Sequence, residues 1–339
     1  MIRSMISKTI NSTITTLINP FDGLLSRYFV TLDPVLNSKY EITNPLTFTG
    51  DFEIESDIAT SSLTGHMIVS TSNVTQDYIF VRSSTGEVGL SIFGVGITGT
   101  IVVTDGKLHT IKITKVGTTL SLFVDGVADG TTTTTGASAQ IGLIGGWSAN
   151  SLFYKGIIAN VKLTDKSGAS DVVTTFKLDQ ATANTESSVE GDNSLTYNNI
   201  PQSGRELYTL EDAAWVNNNE LIVNGDFSSS GGWTEGSSWN IGGGNATCTG
   251  AYSLLTTAVG DTFNSSYRVE YTIESWSGGS IKMSVGGYDQ TTSQTNNGTY
   301  TEIYNVSNPS SNTTFYVIPT SAVLSVDNIS VKRAIEVSS

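Results

Sequence analysis

Two histidines, His66 and His109, are the whole imidazole supply of this 339-residue chain. A nucleophile–histidine–carboxylate triad or a histidine-rich metal cluster therefore has little to build with. His109 falls within an alternating apolar and polar run that reads as a strand. Carboxylates are more plentiful, with 31 Asp and Glu against 17 Lys and Arg. Hydrolysis of a glycosidic bond needs two of them facing each other across that bond. Glu53 and Glu55 share one strand face, but their neighbours supply no third partner, and Glu270 and Glu274 read as exposed strand positions. The glycine-rich run Ile241-Gly242-Gly243-Gly244-Asn245 lacks the Lys-Ser/Thr and the following helix of a phosphate loop, so it reads as a turn. These residues predict a chain that is not an enzyme.

The elements that would position any site are strands. Charged residues make up only 14% of the chain, Gly reaches 34 copies, and Ser, Thr and Asn recur throughout. That mixture favours short strands and polar turns over helices. The net charge of −14 carries no basic cluster, so a nucleic-acid partner is not expected. Cys248 is the single cysteine, which rules out an intrachain disulfide. The N-terminus has no unbroken apolar run of the secretory kind, and no stretch approaches the roughly 20 apolar residues of a membrane helix, so membrane insertion is not expected.

The first segment differs from the rest. Ile2, Met5, Ile6, Ile10, Ile14, Leu17 and Ile18 recur at steps of three and four, which predicts one amphipathic helix ended by Asn19-Pro20. So short a helix needs a partner for its apolar face, either another protein or the chain's own domain. From about Tyr40 the apolar period becomes two. Leu108 to Lys115 and Leu120 to Val124 alternate on either side of a Val116–Thr119 turn, bounded by the Asp105-Gly106 and Asp125-Gly126 turns. Thr131–Thr135 reads as a loop. Ser277-Gly278-Gly279 and Gly286-Gly287 read as turns.

Two resemblances emerge from motif order. Asp105-Gly106-Lys107 with His109 and Ile111, then Leu120-Ser121-Leu122-Phe123-Val124-Asp125-Gly126, Ile141-Gly142 with Gly145-Gly146, and Gly156 followed by Ile158-Ala159-Asn160-Val161, resemble the laminin-G/concanavalin-like lectin superfamily. The glycosidases of that fold carry a Glu-x-Asp-x-x-Glu strand, and no such spacing occurs here. Asn224-Gly225-Asp226-Phe227, Gly232-Trp233, Trp239-Asn240-Ile241 and the closing Val326-Asp327-Asn328-Ile329-Ser330-Val331-Lys332 resemble the calcium-containing jelly-roll carbohydrate-binding modules, in the form typical of phage tail and fibre proteins. The fold expected is all-β: two tandem antiparallel β-sandwiches of jelly-roll type after a short N-terminal amphipathic helix. The boundaries expected are an attachment helix and connector over 1–40, a first sandwich over 41–200, a linker over 201–219, a second sandwich over 220–334 and a tail over 335–339.

The resemblance implies a structural Ca²⁺ held by Asn224, Asp226 and Asp327, where the first and last strands of the second sandwich lie side by side. It also directs attention to aromatic rings on which pyranose C–H faces could stack. Trp147 and Tyr154 flank one loop, and Trp276 and Tyr288 bracket the later glycine turns, whereas Trp233 and Trp239 match positions that are core in the family. The function expected is that of a bacteriophage virion protein, a tail or head fibre or adhesin. It would dock to other virion proteins through its N-terminal helix, form a homo-oligomer with a trimer favoured, and display its sandwiches to host surface glycan. Its place would be the virion surface, after assembly in the host cytoplasm. Two alternatives remain open, a head decoration or spacer protein with no ligand and a secreted bacterial carbohydrate-binding protein.

Overall fold

A computed structural model describes residues 26–32, 36–71, 77–136, 138–147, 152–180, 182–200, 205–211, 214–250, 252–259, 266–287, 289–305 and 312–336. These residues are all-β, and they divide between residues 213 and 214 into two compact units. The amphipathic segment 1–20 with its seven apolar positions lies outside the described residues.

The first unit is a two-layer antiparallel sandwich. One layer runs β3 (Phe52–Ala59), β8 (Leu108–Val116), β9 (Thr119–Val124) and β10 (Val127–Thr133) to one side of β12 (Gly156–Asp165). On the other side of β12 lie β13 (Val172–Phe176) and β1 (Ser26–Leu32), and β1 continues to β16 (Arg205–Glu211). The other layer is β14 (Thr185–Ser187), β15 (Ser194–Asn198), β2 (Lys39–Phe48), β11 (Ala139–Ile144), β4 (His66–Ser70), β5 (Tyr78–Val81), β6 (Glu87–Ile92) and β7 (Val95–Val102), in that order. Alternation does what it promised. Ile111 and Ile113 of β8, Leu120, Leu122 and Val124 of β9, and Ile79 and Val81 of β5 all enter one buried core. The Asp125-Gly126 turn has φ of 51° and 78°, the left-handed pair that a two-residue hairpin requires.

The second unit closes differently. It contains β17 (Ala214–Asn217), β18 (Trp233–Glu235), β19 (Trp239–Gly242), β20 (Asn245–Thr249), β21 (Leu255–Ala258), β22 (Ser266–Val285), β23 (Asp289–Gln290), β24 (Gly298–Asn305) and β25 (Thr314–Glu336). The C-terminal half of β22 and the N-terminal part of β25 pair with each other and with β21, β18 and β23. The other ends of the same two strands pair with each other, with β24, and with β20 and β17. Both strands therefore serve two layers. They turn the corner at register shifts between Glu274 and Ser280, as strands do when they switch sheets through bulges.

Three expectations change. The segment 201–219 is not a plain linker, because it carries β16 and β17, and β1 draws residues 26–32 of the expected connector into the first sandwich. Thr131–Thr133 continue β10 instead of opening a loop. Ser277-Gly278-Gly279 is a bulge inside β22, not a turn, whereas Gly286-Gly287 does turn. Trp233 and Trp239 are buried, as their sequence positions implied, and Cys248 is buried as well.

Candidate functional site

Tyr78, Phe80 and Arg82 follow one another on alternate positions at β5, so they share the face opposite Ile79 and Val81. Tyr78 and Phe80 are half-buried, with ring centroids 5.6 Å apart and planes at 64°. The half-buried ring of Trp147 lies 4.8 Å from Tyr78 at 48°. Three aromatic rings thus form a continuous row on the outer face of the β5 sheet. Phe80 faces Gly89 of β6 across the ladder, and a Cβ at Gly89 would stand 2.7 Å from the Phe80 ring. The ring therefore lies over bare backbone.

The strand β4 holds the loop that presents Trp147. Gly145 N donates to Ile68 O at 2.8 Å, Met67 N donates to Leu152 O at 3.0 Å, and the Ser70 hydroxyl donates to Gly146 O at 2.6 Å. Tyr154 N closes the base of the loop on Gly145 O at 2.8 Å. His66 is buried, with Nδ1 3.1 Å from Phe153 O and Nε2 3.2 Å from Thr64 Oγ1. A carbonyl only accepts, so Nδ1 carries the proton and Nε2 accepts from Thr64. Burial pushes the His66 pKa below the ordinary imidazole value, which suits this neutral tautomer.

The other histidine is committed to structure. His109 Nδ1 lies 2.7 Å from Asp125 Oδ2 and Nε2 lies 2.9 Å from Asp105 Oδ1. Burial alone would lower its pKa, but hydrogen bonds to Asp105 and Asp125 and their charges prevail and raise it to about 9. The imidazolium thus ties together the two Asp-Gly turns that sequence singled out.

The remaining sequence candidates scatter. Tyr154 is 0% exposed and packs its ring 5.5 Å from His66, so it offers no face to a ligand. Trp276 sits on the β22 bulge, half-buried against the second core, with Nε1 donating to Gly279 O at 3.0 Å. Tyr288 lies outside the described residues. Tyr78, Phe80 and Arg82 were missed, although the 78–82 alternation contains their signal: aromatic and cationic residues on one face, Ile79 and Val81 on the other.

Asn224 and Asp226 lie on the turn that straps the second unit. Ile329 N donates to Gly225 O at 2.9 Å, and a Cβ at Gly225 would collide with the Ile329 carbonyl, so only glycine permits the approach. This contact brings the turn beside the β25 stretch that carries Asp327. Hard oxygen ligands of this kind would suit a Ca²⁺. Among the described residues, however, no three His, Cys, Asp or Glu side chains converge, so a cation would need Asn224 and backbone carbonyls besides. Asn224 Oδ1 already accepts from Ser228 and Ser229, Asp226 Oδ1 accepts from Ser228, and Asp327 accepts from Asn328. The visible pin between turn and strand is Glu220. Its Oε1 accepts from the N–H groups of Leu221, Ile222 and Val331, and its Oε2 accepts from the Ser330 hydroxyl.

The class defined so far is an all-β chain of two sandwiches, with an aromatic row on the outer face of the first. No family model matches the chain, and no curated protein matches it. Among solved structures it is similar to a Bacteroides ovatus ATCC 8483 protein assigned to carbohydrate binding, at 14% identity and a TM-score of 0.45. That match covers 56% of this chain and 61% of the Bacteroides protein. It is similar also to domains LG4–5 of the mouse laminin α1 chain, at 13% identity and a TM-score of 0.37, covering 93% of this chain and 80% of that one. A heptameric SAP-like pentraxin from Limulus polyphemus matches at 14% identity and a TM-score of 0.33, over 40% of this chain and 75% of its own.

Proposed function

We propose that this chain is a non-enzymatic glycan-binding protein, and that the Trp147–Tyr78–Phe80 row is where the sugar lies. The row carries the reading. Aromatic faces take up the C–H faces of pyranose rings, and a strand-borne row fixes their spacing before any ligand arrives. The described residues on either side, 145–147 and 152–154, are tied to the sheet and to each other through the carbonyls of Gly145, Gly146, Leu152 and Phe153. Both histidines have both ring nitrogens engaged in structural contacts, which supports the absence of catalysis.

The resemblance of the Asn224–Phe227 and Val326–Lys332 phrases to phage fibre modules supports the further reading of a virion-surface adhesin. In that reading residues 1–20 dock on other virion proteins, and a homotrimer compensates for weak single-site contacts through avidity. A structural Ca²⁺ at Asn224, Asp226 and Asp327 would pin the strap of the second unit to β25.

The test is binding of the purified chain to host cells and their extracted polysaccharide, with and without EDTA. Saturable binding that Trp147→Ala weakens at least ~10-fold, with the melting curve retained, is expected. Equal binding by wild type and Trp147→Ala would move the site elsewhere. No binding at all would leave the spacer or decoration reading, and hydrolysis of the polysaccharide would make the chain an enzyme. Melting of the second unit that EDTA leaves unchanged would remove the calcium. Normal particle incorporation after deletion of residues 1–20 would remove the docking segment.

A further inference from the structure

We infer that the glycan taken by the aromatic row carries a carboxylate, and that Arg82 is the residue that reads it. This rests on the Trp147–Tyr78–Phe80 row being the sugar site. Arg82 stands two residues beyond Phe80 and therefore on the same face, one strand repeat further along. Its stem runs beside Phe80 over the same bare stretch of β6, since a Cβ at Gly89 would lie 2.7 Å from the Phe80 ring and 3.5 Å from Arg82 Cγ. The Arg82 side chain is 41% exposed. Its acidic neighbour, Glu87, stands 3.8 Å away, beyond hydrogen-bond distance.

At that separation the guanidinium makes no hydrogen bond to Glu87, and the Arg82 side chain is exposed enough to turn to another acceptor. A planar guanidinium matches a carboxylate in two parallel hydrogen bonds, a geometry that neutral hydroxyls and tetrahedral sulfate match less well. The chain's net charge of −14 repels an acidic polymer at long range, but screening confines that repulsion to about 8 Å at physiological salt. Within that radius the row ends in a cation. Aromatic stacking followed by one cation is the pattern that recognises a uronic or sialic acid unit within a chain of otherwise apolar-faced sugars.

The experiment is a glycan array carrying carboxylated, sulfated and neutral oligosaccharides, probed with the full chain and with Arg82→Gln, Arg82→Lys and Trp147→Ala. Carboxylated glycans are expected to bind ~10- to 100-fold tighter than neutral ones of the same length. Arg82→Gln should abolish that preference while sparing residual neutral binding, and Arg82→Lys should restore part of it. Trp147→Ala should lose both classes. Neutral glycans alone, sulfated glycans in equal measure, or a preference that survives Arg82→Gln would overturn the inference and leave the aromatic site standing. Silence across the array would remove the glycan site itself, and this inference with it. Retained melting temperatures of the variants separate lost recognition from lost folding.

Discussion

The two sandwiches face one problem, the sealing of the open edges between their layers, and solve it by different means. The second unit runs two long strands, β22 and β25, through both layers, so the corner is covalent backbone. The first unit confines each strand to one layer and closes the gaps with buried carboxylates. Asp129 is the extra residue of a bulge in β10, and its Oδ1 accepts from Thr100 N, the Thr100 hydroxyl and Ile101 N of β7 in the opposite layer. Glu186 of β14 accepts from Lys177 N and Leu178 N, just beyond β13 of the opposite layer, and from the Tyr197 hydroxyl, while Asp77 accepts from Phe93 N and Gln140 N within its own layer. A bulge that turns an acid inward also blocks a sheet edge against pairing with another chain.

The difference teaches where each unit can display side chains. In the second unit the corner consumes the aromatics: Trp233, Trp239, Tyr267, Tyr271 and Phe315 fill its core, and Trp276 is tied to its own bulge. In the first unit the core is mostly aliphatic, which leaves Tyr78, Phe80 and Trp147 on the outer face.

The largest test of this contrast is Asp129→Ala. It strips three donors of their acceptor inside a closed edge, so a loss of about 3–5 kcal/mol is expected in the first unit. The comparison is with Glu220→Ala in the second unit, whose donors lie at a more exposed strap and whose layers remain joined by β22 and β25. About half that loss is expected there. Chemical denaturation read separately from Trp147 and from the tryptophans of the second unit would check both. An Asp129→Ala loss no larger than that from Glu220→Ala would break the contrast.

Much of this was legible in the sequence, and what was not is instructive. The hairpins from Leu108 to Gly126 were legible because local alternation and Asp-Gly turns fix them without long-range help. The core positions of Trp233 and Trp239 were legible from the motif they belong to. The β1–β16 pairing joins residues 26–30 to 205–209, and nothing local in either segment names so distant a partner. The glycines at 278 and 279 looked like a turn because a bulge and a turn ask for the same residue types; Gly279 does sit at φ 71°. Tyr154 was misread for a simpler reason. A tyrosine after a glycine turn is compatible with either side of a sheet, and only the loop anchoring by β4 places it inside.

A smaller effect concerns His109. Its pKa is raised above the unfolded value, so its contribution to stability is complete below about pH 6.5 and is lost as pH rises through about 9. The first unit should weaken by up to about 3 kcal/mol between pH 6 and pH 10, an upper bound because the clamp loosens as the proton leaves. His109→Gln should flatten that slope, while the second unit, which contains neither histidine, keeps its own profile. A first unit that melts equally at both pH values would show that the two Asp-Gly turns do not depend on the imidazolium.

The smallest stability effect separates display from folding within the first unit. Gly89→Ala places a methyl where the Phe80 ring now lies, at 2.7 Å from its edge. The ring can rotate outward because its face is already half-exposed, so the cost to folding should stay near 1 kcal/mol. The row, however, would lose its middle-to-end continuity, since Phe80 could no longer hold 5.6 Å from Tyr78. Glycan binding should therefore fall several-fold while the melting temperature of the first unit moves by only a few degrees. Ser91, which faces Tyr78 one pair along, is the control. Ser91→Ala leaves both rings where they are and should leave binding unchanged. Equal behaviour of the two variants would mean that the spacing of the row does not matter, and that only the general apolar character of this face attracts a ligand.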